Sequence, residues 1–336
     1  MGPTQALSRR IGASTSSSFS LVLAGAPREW ASASDPGRTA IVAVDRLTGL
    51  PIWSGAVLPR SGGSATTVEM SAATLEAYLD RRYPGTVQAT ATDISTIMQQ
   101  VATAALTQGP PLVLDVTPCG TAVDYTVLDS DDKSVLSCLQ ELAGLDGAPE
   151  WTIDTAWADA AQTRIQWVLR IRPSIGIQST TPNVVLDLPG CVSEYTCAES
   201  YEAGKGATSV VARGEADGAS RITSTPHIAN AFLAAGWPLW EYRYQPASGI
   251  TSSGALDAHA AAALALLGPG SRAWTVQAVA SRAPRLGRDW ALGDSIALAI
   301  ASSPRHPAGA TVVARAFGWD LDPGADRVTP ILLEGA

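Results

Sequence analysis

The sequence predicts a mainly β protein with an α+β insertion: several small β-barrels or sandwiches, interrupted by one unit built of helices and a hairpin. Three observations carry this. Short β-prone runs alternate with Gly, Pro and Asp turn clusters towards both ends of the chain; a block of helical periodicity stands between them; and that block closes on two runs with the two-residue period of half-buried strands. A chain of 336 residues is long enough for two or more compact cores.

The first 18 residues read as a flexible arm, because the Ser14 to Ser18 run lacks apolar content. From 19 to 70 the chain alternates strands such as Ala40-Ile41-Val42-Ala43-Val44 with turns at Asp35-Pro36-Gly37 and Arg60 to Ser64, the rhythm of a small barrel. The span 71–173 is expected to be the α+β insertion. It opens with helices over Ser71 to Arg82 and Asp93 to Leu106, where Ile94, Ile97, Met98, Val101 and Ala105 recur at helical spacing before Pro110-Pro111 stops them. A strand follows at Leu112 to Val116, then a helix from Asp131 to Leu145 with two acidic residues in its first turn. The unit closes on a hairpin. Trp151, Ile153 and Trp157 share one face of its first strand, and Ile165, Trp167, Leu169 and Ile171 one face of its second.

Strands return at 184–188, 207–212, 240–244, 274–280, 295–301, 311–317 and 328–333, with one helix from Leu256 or Asp257 to Leu267, ended by Gly268-Pro269. The expected organisation after the insertion is a second barrel region over 174–250 and a C-terminal β domain over 251–336.

Composition excludes several classes. With 46% hydrophobic and 16% charged residues the chain is globular, and a net charge of −8 argues against binding phosphate backbones. No apolar run approaches the roughly 18–20 residues of a membrane-spanning helix, so a soluble chain is expected. The start has no apolar core of a secretion signal. Cys119, Cys138, Cys191 and Cys197 are too sparse for a disulfide framework and form no CxxC pair; a Cys191–Cys197 contact across a turn stays open.

Candidate chemistry is thin. A hydrolase needs a nucleophile and a base within reach, yet the three histidines, His227, His259 and His306, stand in loop or helix-surface contexts with no metal-ligand spacing. Paired carboxylates for a glycosidase exist locally at Glu150 with Asp154, and at Asp320 with Asp322. The first pair falls on the solvated face of the hairpin, and Asp320-Leu321-Asp322-Pro323-Gly324 reads as a turn. Gly204-Lys205-Gly206 lacks the spacing and the hydroxyl residue of a phosphate-binding loop. The ten tryptophans sit mostly at strand-period positions, which favours core or interface packing over sugar stacking. The expected catalytic, cofactor-binding and metal-binding sets are therefore empty, and the chain is expected not to be an enzyme.

Several segments then converge in order along the chain. They are Leu50-Pro51-Ile52-Trp53-Ser54-Gly55, Tyr78-Leu79-Asp80-Arg81-Arg82-Tyr83, the Leu142 to Trp151 stretch, Ala212-Arg213-Gly214-Glu215-Ala216-Asp217-Gly218, Leu256-Asp257-Ala258-His259-Ala260, Trp290-Ala291-Leu292-Gly293-Asp294-Ser295-Ile296 and Gly318-Trp319-Asp320-Leu321-Asp322. With these the chain resembles the minor tail proteins of actinobacterial siphophages, which are similar to tail-tip, or baseplate, hub proteins. The resemblance implies a virion structural protein at the tail tip, assembled in the host bacterial cytoplasm. It implies a hub ring of small β-barrels, usually a homotrimer with a hexamer as the other option, joining the tail tube and distal tail protein to the host-facing tip. Other minor tail proteins and the tape measure protein are further expected neighbours. DNA passes through such a ring without specific binding, which suits an acidic lumen. Ending at Ala336, the chain is expected to lack the peptidase or receptor-binding extension that some tail-tip proteins carry. The competing functions are a tail-tip cell-wall hydrolase using Glu150 or Asp154, and a carbohydrate-binding accessory protein using exposed tryptophans.

Overall fold

Alternation of buried and outward residues builds the first sheet. Phe19, Val68, Met70, Ala72, Ile41, Trp53 and Val57 all turn inward. They come from strands Ser16–Val22, Thr67–Ala73, Pro51–Ser61 and Ala40–Val44, which lie side by side in that order and antiparallel, with Gly2–Pro3 added outside Ser16–Val22. The computed structural model describes residues 2–3, 5–214, 221–246 and 253–334. A second, seven-stranded sheet runs Val185–Leu188, Ser295–Ile300, Ala310–Asp322, Arg327–Leu333, Ser271–Val279 and Val192–Ser200, with Leu7–Arg10 paired to part of Ala310–Asp322. Both sheets are curled half-barrels. One apolar core, including Leu7, Phe19, Trp53, Trp290, Trp319 and Leu332, fills the space between them. The protein is thus mainly β, the predicted class, and among the described residues its α-helices are confined to two excursions.

Two expectations fail in this body. The described residues of the expected arm over 1–18 are not free: Leu7 is 2% exposed, Arg10 pairs with Gly318, and the serine run is a strand whose Ser17 hydroxyl donates to the Ala6 carbonyl. Serine-rich composition resembles a linker, but serine also suits a strand when its hydroxyl finds a backbone acceptor. The seven-stranded sheet also draws strands from both sides of position 250, so the expected division there, which lies outside the described residues, is no sheet boundary.

The first excursion has its own sheet and core. Glu150–Trp157 pairs antiparallel with Ile165–Arg172 in the register Trp151 to Ile171, Ile153 to Leu169 and Trp157 to Ile165, and Leu112–Val116 joins the second strand in parallel. Helices Ile94–Thr103 and Val135–Ala143 cover the tryptophan face, burying Ile97, Met98, Val101, Leu139 and Leu142 completely. Each has a side-chain cap: Asp93 accepts from Ser95 N at 2.9 Å and Ser134 from Ser137 N at 3.2 Å. A separate ribbon pairs Val87–Asp93 with Ala122–Val127.

The helix expected over Ser71 to Arg82 shrinks to Glu76–Leu79, because Ser71, Ala72 and Ala73 pair with Ser16–Ser18 in the first sheet. The helix expected from Asp131 starts at Val135 instead. Asp129–Asp131 form a 3-10 turn and Asp132 is left-handed at φ 50°, which breaks helical continuity.

The second excursion is small. Ser209–Ala212 is flanked by His227–Ile228 and by Glu241–Tyr244, and the helices are Asn230–Ala234 and Ser253–Leu267. Its buried core is Ala207, Val210, Ala212, Leu256 and Ala260. The chain enters and leaves it through paired neighbours, Ser200 and Ser271, at the end of two antiparallel strands of the large sheet. Of the segment Ala212 to Gly218 that the resemblance uses, residues 215–218 lie outside the described residues. Arg213 and Gly214 pair back to Thr223 and Ile222.

Candidate functional site

The densest polar arrangement lies where the first excursion meets the two-sheet body. On the hairpin, Glu150, Thr152 and Asp154 point to one side, as do Arg170 and Arg172 on the partner strand, because alternate residues share a face. The N-terminal strand lays Arg9 across them. Its guanidinium donates to Asp154 Oδ1, to Thr152 Oγ1 and to the Ile153 carbonyl, each at 2.7 Å. Arg170 bridges Asp154 and Asp115 at 2.6 and 2.5 Å, and Arg172 reaches Asp115 at 2.6 Å. Burial alone would raise the Asp154 carboxyl, but Arg9 and Arg170 outweigh it and hold the group below its ordinary value.

A second clamp closes the other end. Arg315, 5% exposed, grips both oxygens of Glu150 and donates to the carbonyls of Ile175 and Gly293. Glu150 in turn accepts from Ile175 N at 2.8 Å. Between the clamps lies Glu76, 1% exposed, with one oxygen accepting from Ile153 N and the other without a partner. Burial pushes its carboxyl above the usual range, although Arg9 pulls the other way.

These contacts correct the expectation that Glu150 and Asp154 are solvated strand residues. Both are half-buried and tied to arginines. Asp320 belongs to a strand rather than a turn, accepting from Ser8 at 2.6 Å and, with its two carboxylate oxygens, from Arg10 Nη2 at 2.9 and 3.0 Å. Asp322 does begin the turn, accepting from Gly324 N and Ala325 N. The two carboxylate pairs therefore serve as anchors for arginine or backbone donors.

The histidines stand apart from one another. His306 Nδ1 and Ser303 Oγ each lie 2.6 Å from the Tyr195 hydroxyl, where the Ser303–Pro307 loop folds over Tyr195 and Trp274. His259 Nδ1 lies 2.9 Å from Asp146, which also accepts from the Tyr244 hydroxyl, joining the second excursion to the first. His227 is 3.6 Å from Asp257. Among the described residues no group of three His, Cys, Asp or Glu is placed to hold a metal. All four cysteines are free thiols, including Cys191 and Cys197, and burial raises the thiol pKa of both. Lys205 pairs with Glu202 at 2.6 Å.

Trp53, Trp151, Trp167, Trp274, Trp290 and Trp319 are buried, whereas Trp237 and Trp240 are 40% and 52% exposed and both pack edge-on to Tyr201. Sequence reasoning missed Arg9 and Arg315. The opposed charges on alternate hairpin positions signalled cross-strand pairs, but nothing local indicated partners more than a hundred residues away. Among the described residues no helix is long and apolar enough to cross a membrane.

The fold is that of phage tail proteins. Over 98% of this chain and 92% of the other, the 43 kDa tail protein of prophage MuSo2 from Shewanella oneidensis superposes with a TM-score of 0.61 at 11% identity. A tail protein from Neisseria meningitidis MC58 matches with a TM-score of 0.58 at 12% identity, covering 100% of this chain and 97% of that one. The prophage tail protein gp18 from Listeria monocytogenes EGD-e gives 0.57 at 12% identity, covering 99% and 88%. No protein-family model and no curated protein matches the sequence.

Proposed function

We propose that this chain is a structural component of a phage tail tip, related to the minor tail proteins of actinobacterial siphophages. The observation that carries this reading is the end-to-end likeness to three tail proteins, which leaves almost none of the chain unaccounted for. Copies associate as a ring, a trimer in the leading version and a hexamer in the other. The two half-barrel sheets form the ring's wall and 71–173 is an insertion carried on it. The ring joins the tail tube and distal tail protein to the tip, beside other minor tail proteins, and its acidic surface lets DNA pass without sticking.

The role is structural rather than enzymatic. Glu150 and Asp154, the carboxylates a wall hydrolase would use, are engaged by Arg315, Arg9 and Arg170. Cryo-electron microscopy of intact tails tests the reading. A threefold ring of this chain directly below the tube is the expected result; a chain absent from the particle, or a monomer without affinity for tail proteins, overturns it. Release of sugar or peptide from purified peptidoglycan, abolished by Glu150→Gln, would establish the enzyme instead.

A further inference from the structure

A cleft of about 740 Å³ lies between the first sheet and the first excursion, and none of the clamp arginines lines it. Its walls come from the turn after Asp35, the strand Pro51–Ser61, the short helix Glu76–Leu79 and the Gln108–Pro110 turn. Trp167 and Tyr78 provide apolar surface inside, with Leu58, 49% exposed, on the sheet side.

Two cations line it. The side chain of Arg81 makes no hydrogen bond or ion pair with any described residue. Arg38, 79% exposed, has only a 3.9 Å contact with Asp35, and Asp35 is shared with Arg60 at 3.7 Å. On a chain with a net charge of −8, two guanidinium groups left without close counter-ions beside an apolar hollow leave a site complementary to an anion with an apolar body. The far wall is itself unrelaxed. Gln108 holds a left-handed φ of 54°, and the buried hydroxyl of Tyr78, packed against Gly109, has no partner.

We propose that this cleft is a docking site for an extended acidic peptide segment of another protein, with an aromatic or branched apolar side chain entering between Leu58 and Trp167 and its carboxylates held by Arg38 and Arg81. The inference does not depend on the tail assignment.

Isothermal titration of the full chain tests it with an acetylated tetrapeptide of aspartate, leucine, tryptophan and glutamate, beside the same peptide with asparagine and glutamine. The expected result is one acidic peptide per chain, bound about tenfold more tightly than the amide peptide at low salt, with the gap narrowing near about 0.15 M salt. The double variant Arg38→Ala and Arg81→Ala, both at exposed positions, removes that gap, and Leu58→Glu weakens the acidic peptide further. Trp237→Ser with Trp240→Ser leaves binding unchanged. Equal affinity for the two peptides, full affinity in the arginine double variant, loss of binding in the tryptophan double variant, or no binding of either peptide overturns the proposal.

Discussion

The two excursions from the sheet body are finished to different degrees. The first buries tryptophans, isoleucines and leucines from both strands on one face of its hairpin and is bolted to the body by Arg9 and Arg315. The second has, among the described residues, an apolar core of five buried residues, of which three are alanines, and its helix Ser253–Leu267 buries only Leu256 and Ala260 although it is apolar nearly all round. An apolar helix in a complete domain is covered on most sides, so the first excursion is self-sufficient and the second presents surface that its own chain does not cover. Leu266 at 62% exposure on the helix, and Trp237 and Trp240 elsewhere in the excursion, mark that surface.

The largest way to break the comparison is in the cores. Trp151→Ala should cost about 3–5 kcal/mol in chemical denaturation and unfold the whole chain at lower denaturant, because its ring is fully enclosed. Leu256→Ala should instead speed hydrogen exchange in 201–270 while the main transition stays in place; a shift of the main transition would show that the two units are thermodynamically one. Removing a clamp ranks next. Arg315→Ala leaves Glu150 without its cation and leaves the Ile175 and Gly293 carbonyls to Gln178 alone, a loss of about 3 kcal/mol on the same denaturation assay.

A smaller effect has a pH signature. The hydrogen bonds from Arg285, with help from Leu47 N and Thr48, hold the buried Asp45 carboxyl well below the usual carboxylate range, against the opposing pull of burial. A depressed folded value means the stabilisation is complete above the unfolded value, about 3.9, and is lost as pH falls through the folded one. Asp45→Asn should therefore lower stability by about 1–3 kcal/mol at neutral pH and flatten the acid limb of the stability profile. An unchanged acid limb would assign acid loss to Asp154 and the first excursion. Least of all, Leu266→Ser should change monomer stability by no more than about 0.5 kcal/mol, in contrast to every core change above.

The same contrast explains what was legible in the sequence. The Trp151 hairpin and the strand Leu112–Val116 stood out because period-two alternation with large apolar residues has one reading when it ends at Gly and Pro. The helix after Asp93 was visible for the matching reason, three- and four-residue spacing. The strand Val192–Ser200 was not, because its two buried residues, Val192 and Cys197, stand five apart with a register shift between Val192 and Glu194, which hides the period of two. Leu7–Arg10 was missed since two arginines and a serine look like an arm until Asp320 and Asp154 are known to lie opposite. As for the sites, the carboxylates were readable as residues but not as partners. Their meaning depends on guanidinium groups delivered by distant strands, which local patterns do not encode.

Ser200 and Ser271 sit across from each other in one ladder, so the chain between them leaves and rejoins the large sheet at a single doorway, with Tyr244 and His259 reaching Asp146 as a side attachment. Strand register on either side is set by pairs from Glu199 with Arg272 back to Val192 with Ala278, none of which lies beyond the doorway. A genome can therefore exchange the whole 201–270 cassette, or trim it to a tight turn, without asking the half-barrels to re-register. The same doorway gives an engineer a place to mount foreign cargo.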